Sequence, residues 1–504
     1  MSGPPVTRLR ADAFIALSAA ATAVALAGWR QRRRGSSAVT PPPRVAGQAR
    51  DSLVLRTAVE QPPASLPLRR TPVEPPPVDG KPSQSGVYPG WGVALGACLS
   101  LGMIFGATLW GFGLLIEPLE REFGWHRWVI AAAVTFTLLI SGATSPLVGR
   151  LVDKFQPRLV IAVGSVGAAL GFVLLSRVTN LWQFLVLLVI ISFFRAWIDY
   201  VPFTTMVARW FPARRGTAMG IATAGFSMGG LLFLPVMAEI VSAWGWRTSF
   251  LAIAVMIIAV NGTFVALFSN RPPRKWSSYG IVAGREEGDE QTHGLLRFSA
   301  LKETYRSSGF WLASAGFALF FCAQWAFVFH AVPLFGSAGF SPRAASIIVG
   351  ASAGVGIIAR IVFGALIDRA RRLELLGAAM LLLTVCALAP LMAGVTPAAV
   401  GIFIVFWGVG TGIGELVEPM VVSRLFGLRS YGSVYGAIDG VETIAGSAGP
   451  ALGVLALELT GSYNGVLGLD IAMLLLAACC LFLLTALARR RARAAEVVRY
   501  LRAA

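Results

Sequence analysis

From Trp91 to Leu487 the chain is built of long apolar segments separated by short polar loops. About 20 apolar residues in a helix cross a hydrocarbon core. Backbone groups inside lipid find no water, so a spanning segment is either a helix or a strand of a closed barrel. Barrel strands alternate polar and apolar residues over about ten positions. The present runs are longer than that and do not alternate. Composition agrees, with 56% hydrophobic and 13% charged residues against roughly 25% charged in a soluble domain. The expected fold class is therefore an all-α membrane protein.

Twelve transmembrane helices are expected. The first six lie at 91–116, 128–149, 158–176, 181–209, 216–242 and 247–268. The last six lie at 309–335, 344–367, 373–394, 397–425, 432–458 and 465–487. This divides the chain into a six-helix bundle at 90–268, a polar connector at 269–307, a second six-helix bundle at 308–487 and a basic tail at 488–504. Residues 1–89 form an N-terminal extension rich in Pro, Ser and Arg, a composition that cannot bury a core and predicts disorder. Within it, residues 13–29 are apolar but short and are followed by Arg30, Arg32, Arg33 and Arg34. That stretch has the form of a signal-like segment, a marginal span or an extension that never inserts.

The formal net charge of +18 invites a nucleic-acid partner, but its location argues against one. Residues 1–90 carry twelve Lys/Arg against five acids, and residues 488–504 carry six Arg against one Glu. Basic tails beside membrane helices set topology or touch anionic lipid. The loops after the second, fourth, eighth and tenth helices hold Arg150, Lys154, Arg158, Arg214, Arg215, Arg369, Arg371, Arg372 and Arg429. Opposite loops are poorer in Lys/Arg and include Glu117, Glu120 and Glu122. The Lys/Arg excess marks the cytoplasmic side. Both ends of the twelve-helix core, and the connector, are expected in the cytoplasm of a cell bounded by this plasma (inner) membrane. The five cysteines lie inside apolar segments without metal-ligand spacing, so neither a disulfide framework nor a zinc site is expected.

An internal repeat stands out. After the second helix the chain reads Gly149-Arg-Leu-Val-Asp153-Lys154-Phe-Gln-Pro-Arg158, and after the eighth Gly364-Ala-Leu-Ile-Asp368-Arg369-Ala-Arg-Arg372. Each copy follows the second helix of a six-helix half. The glycine allows close helix approach. The Asp can cap a neighbouring helix N-terminus or pair with Arg, which would make the segment a gate. The plainer alternative is a tight turn with positive-inside charges. Two six-helix pseudo-repeats joined by a long connector, with this motif in both, resemble the major facilitator superfamily. The resemblance implies a secondary transporter whose halves rock around a central site. Gln156 stands where that family usually has Gly.

Further residues resemble a subgroup, the monocarboxylate porters and oxalate:formate antiporter-like proteins. They are Gly90-Trp91-Gly92-Val93, the stretch Arg209-Trp-Phe211-Pro-Ala-Arg214-Arg215-Gly-Thr-Ala218-Met-Gly220-Ile-Ala222-Thr-Ala224-Gly225, and Gly245-Trp246-Arg247. Tyr435-Gly436 and Gly449-Pro450 also fit. The resemblance places a carboxylate-binding Arg four residues before a Gly in the eighth helix, where Arg360 and Gly364 stand. A guanidinium fork matches a carboxylate bidentately. The competing role is a salt bridge within the membrane, or snorkelling toward Asp368. His330, in His330-Ala-Val-Pro333, resembles a family pattern in the seventh helix. It is a second substrate-binding candidate, with a structural hydrogen bond as the plainer role. Animal relatives carry an Asp at the position of Gly356 and a Lys at that of Leu109, so proton coupling by those residues is not available here.

Other intramembrane polar residues are coupling or gating candidates. Arg195 and Asp199 stand at i, i+4 of the fourth helix and can pair. Glu415 and Glu418 share a face of the tenth helix, as do Asp439 and Glu442 of the eleventh. Carboxylates close together in low dielectric can carry protons. The alternative is a structural network with Arg424, Arg429 and Arg195. Trp110, Trp197, Trp325 and Trp407 are read as packing residues rather than a ligand cage.

These observations favour a transporter of a small organic anion, with a monocarboxylate as first candidate and a proton or counter-anion as its coupling partner. Two alternatives stand beside it: proton-driven efflux of hydrophobic compounds, and a non-transporting membrane sensor. No nucleotide loop, metal cluster or nucleophile–base constellation suggests an enzyme, and no cofactor is expected.

Overall fold

Helix starts in this chain are written in local chemistry. Asn180, Ser307, Ser341 and Thr396 each accept a hydrogen bond from the backbone N–H three residues on. That bond satisfies one of the orphan donors of a first turn. Ser341 and Thr396 are followed by Pro342 and Pro397 at the first helical position, where a missing N–H costs nothing. Gly124, Gly245, Gly427 and Gly461 have positive φ, and each stands where a helix ends or breaks.

The computed structural model describes residues 88–211, 214–268, 301–369 and 373–503. The expected apolar segment 13–29, residues 269–300 of the connector, and Arg371 and Arg372 lie outside them. Among the described residues the structure is all helical. The first six membrane-competent helices are α1 (Gly90–Trp110), α2 (Arg127–Lys154), α3 (Pro157–Leu175), α4 (Leu181–Trp210), and α5 and α6, the two arms of Arg215–Leu267 on either side of Gly245. The last six are α7 (Ser308–Ser337), α8 (Pro342–Ile367), α9 (Leu373–Ala393), α10 (Pro397–Phe426), α11 (Tyr431–Thr460) and α12 (Tyr463–Ala503). The basic segment after Leu487 continues α12 as helix, consistent with its Ala and Arg content.

One stripe of each outer helix is apolar and exposed. On α3 it comprises Leu159, Val163, Val166, Leu170 and Leu174, at the i, i+3/i+4 spacing of one helix face. Such a stripe suits lipid, and among the described residues nothing covers it. Inside, small residues set the helix spacing. Gly149 of α2 lies against the backbone of Gly432 and Gly436 of α11, and Gly364 of α8 lies against Gly216 and Gly220 of α5. A Cβ on Gly364 would stand 2.7 Å from the Gly216 carbonyl oxygen, so these glycines are what allow the two helix pairs to touch.

Two expected helices are not continuous. The first, expected at 91–116, passes into a π-turn at Gly106–Trp110 and stops; a separate helix, Gly113–Phe123, follows. A second π-turn, Gly229–Phe233, lies opposite in α5. A Cβ on Gly229 would meet the Gly106 N at 2.8 Å, so the two irregular turns pack backbone to backbone. The fourth helix, expected unbroken at 181–209, turns 3-10 at Ala196–Ile198 and becomes extended at Asp199, whose side chain accepts from the Tyr200 N–H. Arg195 and Asp199 therefore do not share one regular helix face. They pair across a break, with Asp199 starting the second arm.

Candidate functional site

The repeated motif joins the two halves crosswise. Asp153, at the end of α2, accepts from the backbone N–H groups of Gly432 (3.0 Å) and Ser433 (2.6 Å), the first turn of α11. Asp368, following α8, accepts from the N–H groups of Gly216 and Thr217 and from the Thr217 hydroxyl (2.7 Å), the first turn of α5. Each carboxylate thus sits at the positive end of a helix in the opposite half, where orphan donors and the helix dipole both favour an anion. Arg209 approaches Asp153 at 3.8 Å. Lys154 lies over the ring of Phe155, and Arg369 is exposed.

About two helical turns before Asp368, Arg360 is buried to 2% exposure. Its Nη2 donates to Glu415 of α10 at 2.6 Å, its Nη1 to the Thr223 carbonyl of α5 at 2.8 Å, and its Nε to the Gly412 carbonyl at 3.2 Å. Each of the three guanidinium nitrogens donates one of these bonds. Glu415 also accepts from Gln324 of α7 at 2.8 Å and from the Tyr200 hydroxyl of α4 at 3.4 Å. The acid that neutralises Arg360 thus comes from α10, and Glu415 takes Arg360 rather than Arg195, Arg424 or Arg429 as its ion-pair partner.

Beside this pair, a cavity of about 640 Å³, open mouth included, lies between the two halves. From the first half, Phe105 and Leu109 of α1, Leu138 of α2, Arg195, Asp199 and Tyr200 of α4, and Phe226 of α5 line it. From the second half come Phe321 and Trp325 of α7, and Glu415, Glu418, Asp439, Glu442, Thr443 and Ser447 of α10 and α11. The six coupling candidates therefore converge on one space. Arg360 stands behind Glu415 and does not line the cavity. His330 lies elsewhere: its Nδ1 is 2.8 Å from the Ala326 carbonyl oxygen one turn back, and its ring packs on Gly453.

Charge within the cavity is uneven. Arg195 pairs with Asp199 at 2.8 Å, donates to Ser141 and Thr108, and stacks 5.0 Å from the centre of the Phe105 ring. Asp439 accepts from the Ser145 hydroxyl of α2 across the halves. The carboxyls of Glu418 and Glu442 lie within hydrogen-bonding reach of each other. Glu418 Oε1 and Glu442 Oε2 have no other donor. Five carboxylates thus face two guanidiniums, both already paired. Sequence reasoning found the charged members. It passed over Tyr200, Phe226, Phe105 and Gln324, and it read Trp325 as packing. Gln324, an amide in the apolar run Phe320–Phe327, carried a usable signal; the aromatic residues did not differ from their neighbours.

The chain matches the family model described as "Major Facilitator Superfamily" over residues 97–450. It belongs to the major facilitator superfamily. This facilitator is accordingly a multi-pass membrane transporter and not an enzyme. It is similar to monocarboxylate transporter 13 of Bos taurus, 24% identical over 74% of this chain and 84% of that one. It is also similar to the fujikurins efflux protein of Gibberella fujikuroi, 29% identical over 28% of this chain and 30% of that one. Among solved structures, the human organic anion transporter MFSD10 (TETRAN) superposes with a TM-score of 0.59 at 16% identity, covering 77% of this chain and 97% of that one. That likeness shows the facilitator fold. The twelve helices above are the two six-helix halves of that fold.

Proposed function

We propose that this facilitator carries a small organic anion, a monocarboxylate first, across the plasma membrane together with a proton. The observation that carries the proposal is the Arg360–Glu415 pair at the cavity wall. A substrate carboxylate can take Arg360 only if Glu415 lets go. A released Glu415 in low dielectric is stable only when protonated. Anion and proton are then bound together or not at all. Glu418 and Glu442, carboxyl to carboxyl, provide the place from which that proton comes or to which it goes. The length of the match to a monocarboxylate transporter supports the same substrate class.

In this proposal the end bearing Asp153 and Asp368 is cytoplasmic, following the Lys/Arg of its loops, and the two crosswise caps hold it shut. Their rupture lets the halves rock. A second function, proton-driven efflux of hydrophobic compounds, draws on the aromatic lining, the carboxylate excess and the fungal efflux relative.

Proteoliposome uptake of labelled lactate, pyruvate, formate, oxalate, hexanoate and phenylacetate, with and without an inward proton gradient, separates these. Gradient-stimulated uptake of an acid, lost in Glu415→Gln and in Arg360→Ala, is the expected result. Uptake that ignores the gradient but requires an anion on the far side indicates exchange. Folded protein that moves none of the acids, yet exchanges protons for a hydrophobic dye, moves efflux to the front.

A further inference from the structure

We infer that the cavity selects a monoanion with a sizeable apolar or aromatic body and rejects short acids and dicarboxylates. This deepens the proposed function and rests on it. Polarity in the cavity is segregated by element. Three of the cavity's five acids, Glu418, Asp439 and Glu442, stand on α10 and α11. The wall contributed by α1, α2, α5 and α7 is apolar: Phe105, Leu109, Leu138, Phe226, Phe321 and Trp325.

Three rings of that wall, Phe105, Phe226 and Trp325, form one connected cluster across the two halves. Phe226 of α5 meets Phe105 of α1 edge-on at 4.9 Å between centroids, and meets Trp325 of α7, in the other half, at 6.3 Å and 78°. The Phe226 ring also lies 5.8 Å from the Arg360 guanidinium carbon. A substrate whose carboxylate reaches toward Arg360 therefore lays its body on Phe226 and Trp325. Formate or acetate leaves that ring surface against water and gains nothing from it. A dicarboxylate must put its second charge on the ring wall or against the excess carboxylates of α10 and α11. Neither position offers it a second cation, because the first carboxylate takes Arg360 and Asp199 holds Arg195.

The test is calorimetric binding to the full chain in detergent. The probes are acetate, butyrate, hexanoate, phenylacetate and oxalate, with phenethylamine as the cationic counterpart of the aromatic acid. The expected result is an affinity that climbs by up to about fourfold for each methylene added, is highest for phenylacetate, and is absent for oxalate. Trp325→Leu and Phe226→Leu, which keep the wall apolar but remove the ring, lower phenylacetate affinity by about fivefold and lower butyrate affinity less. Trp325→Phe restores most of the loss. The native ladder needs no variant, so a misfolded substitution does not silence the test. Equal affinity for acetate and phenylacetate, or tight binding of oxalate, overturns the inference while leaving an anion transporter in place. Binding of phenethylamine with no binding of any acid overturns the anion proposal and this inference with it.

Discussion

At the scale of single residues, Arg360 and Glu415 have two roles that mutagenesis can separate. Removing one partner of a buried ion pair leaves the other charge uncompensated, at a cost of about 3–5 kcal/mol. Arg360→Met alone is therefore expected to lower thermal stability sharply. Arg360→Met with Glu415→Gln removes both charges and recovers most of that stability. If the pair also binds substrate, the double variant regains its melting temperature and still transports nothing; recovery of both would make the pair purely structural. Glu442→Gln addresses the neighbouring carboxyls. The amide keeps the shape but cannot release a proton, so gradient-driven uptake disappears while anion exchange between the two sides survives. Uptake that keeps its pH dependence in Glu442→Gln and in Glu418→Gln would remove this pair from the coupling route. The charged identities here were legible because a carboxylate or guanidinium in an apolar run is costly and conspicuous. Which acid would neutralise Arg360 was not legible, since Glu415 is 55 residues away and reaches it only through the packing of α8 on α10.

At the scale of elements, the contacts between α2 and α11 and between α8 and α5 combine two devices: glycines that let backbones touch, and an Asp that caps the facing helix. Gly364→Val is expected to cost about 1–3 kcal/mol through overpacking, read as a lower melting temperature. Gly354→Ala on the same helix, with nothing within 4 Å of the added Cβ, should be silent. The caps act only while this end is closed. Losing each is worth about 1 kcal/mol, so Asp153→Ala with Asp368→Ala shifts the balance by about 2 kcal/mol, or roughly thirtyfold. A cysteine placed at Ser433, buried beside the cap, should then react faster with a polar thiol reagent in a background free of other cysteines. An unchanged rate would mean that the caps do not govern opening. Helix existence was readable from apolar length alone, and the repeated Asp from its motif. The breaks at Gly106–Trp110 and Ala196–Ile198 were not read: Gly106 and Gly111 lower helix propensity, but glycines recur throughout these helices and mark no particular break. The two breaks follow from close approach of α1 to α5 and from the Arg195–Asp199 pair.

At the scale of the whole molecule, the side opposite the caps has its own fastening. Glu122, at the end of the short helix after α1, accepts from the Trp246 indole at 2.7 Å and from Arg247, which stacks 4.2 Å over the Trp246 ring and donates to the Val178 carbonyl. The Arg247 bonds hold the Glu122 carboxyl below its ordinary value. A carboxylate depressed in the fold adds stability that is complete above the unfolded value, about 4.3. That stability is lost as pH falls through the lower folded value. The stability difference between the native chain and Glu122→Gln should therefore be constant at neutral pH and shrink only in acid below the ordinary glutamate range. Both side chains are partly exposed, so the difference is small and weakens with salt. A difference that instead grows on acidification would exclude this bond as its source.

Sequence by itself determined that the chain spans a membrane as helices, that residues 90–487 hold twelve of them, and that its two halves repeat one another. These properties follow from apolar length, backbone hydrogen bonding and a local motif, all of which act within one segment. Tertiary structure alone decided which helix each repeated Asp caps, that the acids of α10 and α11 face the rings of α1, α5 and α7, and that Arg360 lies one ion pair behind the cavity while His330 bonds its own helix. Those outcomes depend on how each helix rotates about its axis and which neighbour it meets. In lipid, where most faces of these helices are apolar, packing sets that rotation, and the hydrophobic pattern of the chain leaves it open.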